Sequence, residues 1–188
     1  MRWDVSVGSM TPTAGRSEVL NFPAVYYYTP SSFAVHTDST VTTLAGLNGK
    51  NICTTAASTW EMYLEGSLDM LNAPAFTYKV TPGTITSLAD GHTCLDDTRL
   101  GAGVRNDGII DSVPMIQGAI ENGYPIKFLG DPAFYEPLSV ATDKGNDDPE
   151  LDAAIASAIA EMQKDYTLTM LSMKWFKNAD GSSNDYTV

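Results

Sequence analysis

The chain has few basic side chains and few of the side chains that bind transition metals. Its 188 residues include 11 Lys and Arg against 23 Asp and Glu, which gives a formal net charge of −12. Nucleic acids and anionic membrane surfaces attract clusters of Lys and Arg, so this balance argues against both as partners. With only two Cys and two His, the sequence also argues against a Cys/His zinc site. We therefore expect neither a metal nor a cofactor.

Long apolar runs and the common catalytic motifs are lacking as well. No run approaches the roughly 20 apolar residues that span a bilayer, and the opening MRWDVSVGSM lacks the apolar centre of a signal peptide. A P-loop, a G-x-S-x-G nucleophile elbow and an H-E-x-x-H helix are not found in the sequence. The hydrophobic fraction of 43% is nevertheless enough for a packed core in one domain or two small lobes.

β-rich and helical segments alternate along most of the chain, which predicts an α/β fold with a mainly parallel sheet. The clearest helix begins after Asp148, which can cap it, with Pro149 suited to the first helical position. The polar tail after residue 176 is expected to fray. Strands are predicted at 4–8, 31–37, 51–55, 76–81, 107–111, 126–130 and 137–143, and helices at 42–49, 58–71, 94–100, 113–123, 147–165 and 167–176.

Arg16 ends a hydroxyl-rich loop, GSMTPTAGR, in a chain with only four arginines. A guanidinium binds a carboxylate through two parallel hydrogen bonds. Ser9 and Thr11 add short donors and acceptors beside it. The alternative is an exposed loop arginine that pairs with one of the many surface acids.

A capping box is predicted at Ser58–Glu61, in which each residue's side chain accepts the backbone amide of the other. The stretch TTAAST ahead of it supplies amides and hydroxyls at the positive end of a helix, where an anion can bind. A plain helix start is the alternative.

Three further features each leave two interpretations open. The triplet Tyr26–Tyr28 forms either a stacking wall for a ligand or a structural cluster between surface and core. Glu136, among aromatic residues, is either a catalytic acid or base or a structural carboxylate. Cys53 and Cys94 are either bonded or two buried thiols, because spacing does not decide between them.

The chain resembles the family 3 extracellular solute-binding proteins, the amino-acid-binding components of ABC importers. The family pattern Gly-x-Met-Thr-x-Thr-x-x-Arg is met at residues 8–16, and Asn21-Phe22 and Tyr26-Tyr27 follow it. LAGLNGKNICTTAASTWEMYL, NDGIID, FYEPLSVATDKG and a closing Lys-Trp-Phe match later landmarks in order. The resemblance covers nearly the whole chain.

The resemblance implies a two-lobe α/β fold of the type II periplasmic binding protein class, with parallel-rich sheets and flanking helices. Residues 1–34 are then a partial lobe 1, residues 35–138 lobe 2, and residues 139–188 a return to lobe 1 with the C-terminal helices and polar tail. Compared with the family pattern, the N-terminal part of lobe 1 is expected to be absent. An open sheet edge left in this way predicts possible self-association.

The resemblance also implies the site. Arg16 grips a ligand carboxylate, and a disulfide joins Cys53 to Cys94 in an oxidising periplasm. Many members hold the ligand ammonium with an acid at the position of Ser112, so either Asp111 takes this role after a one-residue shift or the ligand lacks a standard amino group. The implied ligand-binding residues are Ser9, Met10, Thr11, Arg16, Ser58, Thr59, Asp111 and Ser112.

These features together predict a non-enzymatic substrate-binding component of an ABC importer. It is expected to bind a small polar solute such as an amino acid, to dock on the membrane subunits of the transporter, and to work in the periplasm or outside the cell. Two alternatives remain. One is an enzyme like the cyclohexadienyl dehydratases, with Glu136 or Asp111 as the catalytic acid, and the other is the sensor module of a receptor.

Overall fold

The computed structural model describes residues 3–178 and 180–187, which form an α/β fold in two compact units. Unit 1 comprises the residues up to Thr29, the segment Asp69–Ala73 and the residues from Glu136 onwards. Unit 2 comprises Pro30–Leu68 and Pro74–Tyr135.

The elements follow one another in the order β1, α1, β2, β3, β4, α2, β5, α3, β6, α4, β7, β8, α5, α6, with two short 3-10 turns at Leu44–Leu47 and Lys144–Asn146. The strands are β1 (Val5–Met10), β2 (Leu20–Asn21), β3 (Val25–His36), β4 (Asn51–Thr55), β5 (Thr84–Leu88), β6 (Gly108–Ser112), β7 (Ile126–Phe128) and β8 (Phe134–Asp143). The helices are α1 (Ala14–Ser17), α2 (Thr59–Glu65), α3 (Gly91–Thr98), α4 (Val113–Glu121), α5 (Pro149–Lys164) and α6 (Thr167–Trp175).

The sheet pairings are mixed. In unit 1, β1 and β2 pair antiparallel with β8. In unit 2, β4 pairs in parallel with β5 and β6, whereas β3 pairs antiparallel with β6 and β7. The predicted α/β class is confirmed, and the parallel pairs among the described strands are those made by β4.

The core of unit 2 lies around a buried disulfide. Cys53 on β4 and Cys94 on α3 are bonded, with their Cα atoms 5.6 Å apart, so the disulfide implied by the resemblance is confirmed. Apolar side chains of the sheet and of α3 and α4 surround it. The buried members of this cluster are Ala34, Cys53, Cys94, Leu95, Ile109, Ile116 and Ile126.

Four predicted elements differ from the structure. The helix predicted at 58–71 ends at Glu65, because Gly66 adopts the left-handed conformation (φ 72°) that terminates helices. The helix predicted at 42–49 is only a 3-10 turn. The strand predicted at 76–81 is not formed, and β5, which the prediction missed, pairs with β4.

The C-terminal helix start is confirmed, whereas the expected fraying of the tail is wrong for the described residues. Asp148 caps α5 by accepting a hydrogen bond from the Leu151 amide (3.0 Å). In the tail, the Tyr186 carbonyl accepts a hydrogen bond from the Tyr28 amide (2.6 Å), and Ser172 donates to the Asn184 carbonyl (2.9 Å). Across residues 3–178 and 180–187, the structure has no helix both long and apolar enough to cross a membrane.

Candidate functional site

Arg16 is presented by a turn whose backbone is fixed on two sides. Thr13 caps the single turn α1 by accepting a hydrogen bond from the Arg16 amide (3.3 Å). The Ala14 amide donates to the Asp69 carbonyl (3.1 Å), and Thr13 forms an isolated bridge with Met70. The backbone that carries the guanidinium is therefore held by the segment Asp69–Ala73, which belongs to the same unit.

Thr11 connects Arg16 to Glu136. The Arg16 Nη1 donates to the Thr11 carbonyl (2.9 Å), and the Thr11 hydroxyl donates to Glu136 Oε2 (2.7 Å). Thr11 and Glu136 are buried, with 2% and 4% of their surface exposed. Burial lowers the pKa of Arg16, and the Glu136 carboxylate opposes this by favouring the charged guanidinium. Of the residues predicted in this half of the site, the structure brings Thr11 and Arg16 together.

Ser9 and Met10 lie apart from that group. The Ser9 hydroxyl is hydrogen-bonded to the Tyr27 hydroxyl (2.9 Å), and Met10 lies opposite Ser139 in the β1–β8 ladder. The Tyr26 and Tyr27 ring centroids are 4.8 Å apart, and the Phe176 ring lies 5.7 Å from that of Tyr27. These contacts favour the structural cluster over the ligand-stacking wall.

The start of α2 has the predicted cap in a modified form. Ser58 Oγ accepts a hydrogen bond from the Glu61 amide (3.1 Å) and donates to the Thr55 carbonyl (2.6 Å). The Glu61 carboxylate turns to the Ala57 amide (2.6 Å), where a capping box would use the Ser58 amide. Ala57 has the positive φ of 57° that favours glycine, and Thr59 is buried at the first helical position.

Ser31 and Trp60 were not predicted as site residues, yet they connect the start of α2 to the end of β6. The Trp60 indole Nε1 donates to Ser31 Oγ (2.8 Å). Ser31 lies directly opposite Ser112 in the antiparallel β3–β6 ladder, and opposite residues project to the same face of a sheet. Ser112 therefore shares the face on which Trp60 lies. The signal in the sequence was a fully buried serine at the start of an apolar run.

Asp111 lies on the other face. It is opposite Ser32 in the ladder, and its Oδ1 accepts the Ser112 amide (2.6 Å). A Cβ at Gly91 would collide with its carboxylate, so the start of α3 packs against this side chain. The structure thus groups Ser112 with Ser31, and it does not bring Asp111 to that face.

Within the described part of the chain, no three His, Cys, Asp or Glu side chains lie close enough together to hold a metal ion. The groups that could bind a ligand are hydroxyls, the Arg16 guanidinium and the Glu136 carboxylate.

The sequence of residues 1–178 matches the bacterial extracellular solute-binding proteins, family 3, and the chain belongs to that family. It is 27% identical over 175 residues to the probable amino-acid-binding protein YxeM of Bacillus subtilis strain 168, covering 92% of this chain and 61% of that protein. It is 27% identical over 178 residues to the L-cystine-binding protein TcyJ of Escherichia coli K12, covering 93% and 60%. The chain thus spans about 60% of the length of these relatives.

A solved structure confirms the expected fold. The crystal structure of the substrate-binding protein of an amino acid ABC transporter superposes with a TM-score of 0.74 at 22% identity, covering 93% of this chain and 71% of that one. At this identity the likeness concerns the fold, and the predicted contact residues stay predictions.

Proposed function

We propose that this chain is the substrate-binding component of an ABC importer, that it binds an amino acid or related small carboxylate without chemical turnover, and that it works in the periplasm or outside the cell. Arg16 carries the proposal. A half-buried guanidinium sits on a turn that backbone hydrogen bonds hold in place, in a chain of the solute-binding family.

The Arg16 guanidinium has five N–H donors, and the Thr11 carbonyl occupies one on Nη1. Its planar fork suits the two oxygens of a ligand carboxylate. We assign the carboxylate to Arg16, with Thr11 beside it.

Unit 2 is proposed to contribute Ser58, Thr59 and Ser112 to the same ligand. Ser58 Oγ already donates to Thr55 and accepts from Glu61, so its second acceptor position is the one that a ligand donor can use. We leave Asp111 out of the contact set because it lies on the opposite face from Ser112. Ser9 and Met10 are left out because their described contacts are with Tyr27 and Ser139.

Enclosing a zwitterion between two sets of side chains removes it from water. The cost of desolvating each charge is offset only where that charge has a partner. Affinity should therefore depend steeply on Arg16, since truncating one partner of a buried, hydrogen-bonded charge pair costs about 2–5 kcal/mol.

The test is a thermal-shift screen of the chain against the twenty amino acids, L-cystine and the corresponding carboxylates, in a buffer free of carboxylic acids. A ligand at 100 times its Kd stabilises the native state by about 2.7 kcal/mol, which for a chain of this size raises Tm by about 5–11 °C. Arg16→Ala should abolish the shift and Arg16→Lys should weaken it, because an ammonium lacks the planar fork. Arg105→Ala, at an exposed loop arginine of unit 2, is the matched control and should leave it unchanged.

Two results would contradict the proposal. One is the absence of any shift with every compound, and the other is an equal shift in wild type and Arg16→Ala. Prephenate and arogenate are incubated with the chain in parallel, and consumption of either would show an enzyme.

A further inference from the structure

The positive charge of Arg16 has a negative neighbour in the same unit. Thr11 donates its hydroxyl to the Glu136 carboxylate and accepts Arg16 at its carbonyl, so both charged groups bind one residue. The favourable effect of Glu136 on the charged form of Arg16 also places the two groups within electrostatic reach. The formal charges of this cluster sum to zero before any ligand is bound.

A neutral cluster responds differently to different ligands. A plain carboxylate bound at Arg16 would add a negative charge beside the buried Glu136, where poor solvent screening makes like-charge repulsion costly. A zwitterion brings its own ammonium, so the bound state keeps a charge sum of zero. A dicarboxylate would be disfavoured more strongly than either.

The other acid near the predicted contacts is poorly placed for this task. Asp111 projects to the face opposite Ser112, and the start of α3 packs against it. Its Oδ1 is hydrogen-bonded to the amide and hydroxyl of Ser112 (2.6 and 3.2 Å). An ammonium at the face of Ser112 would therefore not meet this carboxylate.

We propose that Glu136 is the specificity-determining residue that makes the site select ligands with an ammonium group beside the carboxylate. The proposal rests on the proposed function, since it assigns Arg16 the ligand carboxylate. A carboxylate offers about four acceptor positions, and the Thr11 hydroxyl uses one on Oε2. An ammonium carries three donors, so a ligand held at Thr11 can present one of them, or its field alone, to Glu136.

The test measures selectivity by isothermal titration calorimetry. Each amino acid that binds is paired with the acid of the same side chain that lacks the amino group: L-glutamine with 4-carbamoylbutanoate, L-leucine with 4-methylpentanoate, and L-cystine with 3,3′-dithiodipropionate. Wild type should bind the amino acid at least about 10-fold, and up to about 100-fold, more tightly than its partner, as expected for opposite charges roughly 6 Å apart at an effective dielectric constant near 20.

Glu136→Gln keeps the shape and an acceptor for Thr11 but removes the charge. It should reduce that ratio at least about 10-fold, with most of the change in the affinity for the amino acid. Glu136→Asp keeps the charge and should retain the preference. Asp111→Asn is the rival variant and should leave the ratio near that of wild type, with thermal melting used to confirm that each variant is folded.

The outcomes separate the two proposals. If wild type binds amino acids and the acids lacking an amino group equally well, the role of Glu136 is overturned while the solute-binding function stands, even if Glu136→Gln does not fold. The same holds if Asp111→Asn loses the selectivity that Glu136→Gln retains. If no compound binds wild type, the proposed function fails and this inference fails with it.

Discussion

Breaking the Cys53–Cys94 disulfide should destabilise unit 2 by a predictable amount. The bond joins β4 to α3, and both cysteines are fully buried in the core. It closes a loop with a sequence separation of 41 residues. In the chain-entropy model, such a cross-link lowers the entropy of the unfolded chain by about 13 cal/mol/K, which corresponds to about 4 kcal/mol at 25 °C.

A double-mutant cycle tests this figure. Cys53→Ala, Cys94→Ala and the double variant all lack the cross-link, so each should lose about 4 kcal/mol, with smaller differences from packing. The double variant should therefore be no more than about 1 kcal/mol less stable than either single variant, where additivity would give about 8 kcal/mol. In thermal melting, the corresponding fall in Tm is about 8–16 °C.

Urea unfolding followed by circular dichroism measures the free energies, and it carries an internal control. An unfolded chain without the cross-link exposes more surface, so the denaturant slope m should rise in all three variants together. Losses that add between the two sites would show that the cysteines contribute as separate buried side chains. A loss below about 1 kcal/mol in every variant would refute the loop-closure argument.

Two further predictions concern the backbone of α2 and a buried phenol. Ala57→Gly relieves a left-handed alanine and should stabilise the chain by about 1 kcal/mol, whereas Ala160→Gly, exposed within α5, should destabilise it by a similar amount; urea titration distinguishes the signs, and equal signs would contradict the strain. Burial raises the pKa of Tyr26 to about 12 from 10. The folded state therefore favours the neutral phenol, and stability present below pH 10 is lost as pH rises through 12. Tyr26→Phe should flatten this fall, with Tyr135→Phe as the exposed control; equal pH profiles for wild type and Tyr26→Phe would contradict it.

Local signals in the sequence identified the elements that are stabilised by nearby residues. Asp148 and Pro149 mark the start of α5, and the hydroxyl of Ser58 caps α2 through the amide three residues later. Caps of this kind depend on groups within a few residues, so the sequence displays both partners. The family pattern around Arg16 likewise lies in one short stretch.

The strand predicted at 76–81 failed because a strand depends on partners that lie elsewhere in the chain. The Lys79 amide donates to the Tyr63 hydroxyl (2.8 Å), and the Thr81 amide donates to Asn48 Oδ1 (2.8 Å). Side chains thus take the place of a neighbouring strand. The aromatic rings of Phe76 and Tyr78 pack against Tyr63, which explains the apolar alternation without a sheet.

The tail was misjudged for a related reason. Polar composition predicts fraying only if the polar groups have water as their partner. Here Ser172 on α6 donates to the Asn184 carbonyl and accepts the Tyr186 amide, both at 2.9 Å. A single buried hydroxyl therefore secures two backbone groups of the tail, and neither partner is close to it in sequence.

The choice between Asp111 and Ser112 shows why the ligand-binding face could not be read from the sequence. Adjacent strand residues project to opposite faces, so a shift of one residue in the pairing exchanges an acid for a hydroxyl. The β3–β6 register decides the matter, since Ser112 lies opposite the Ser31 that binds Trp60. With the hydroxyl on that face, the negative charge that balances Arg16 among the residues argued here comes from Glu136, 120 residues away in sequence and joined to Arg16 through Thr11.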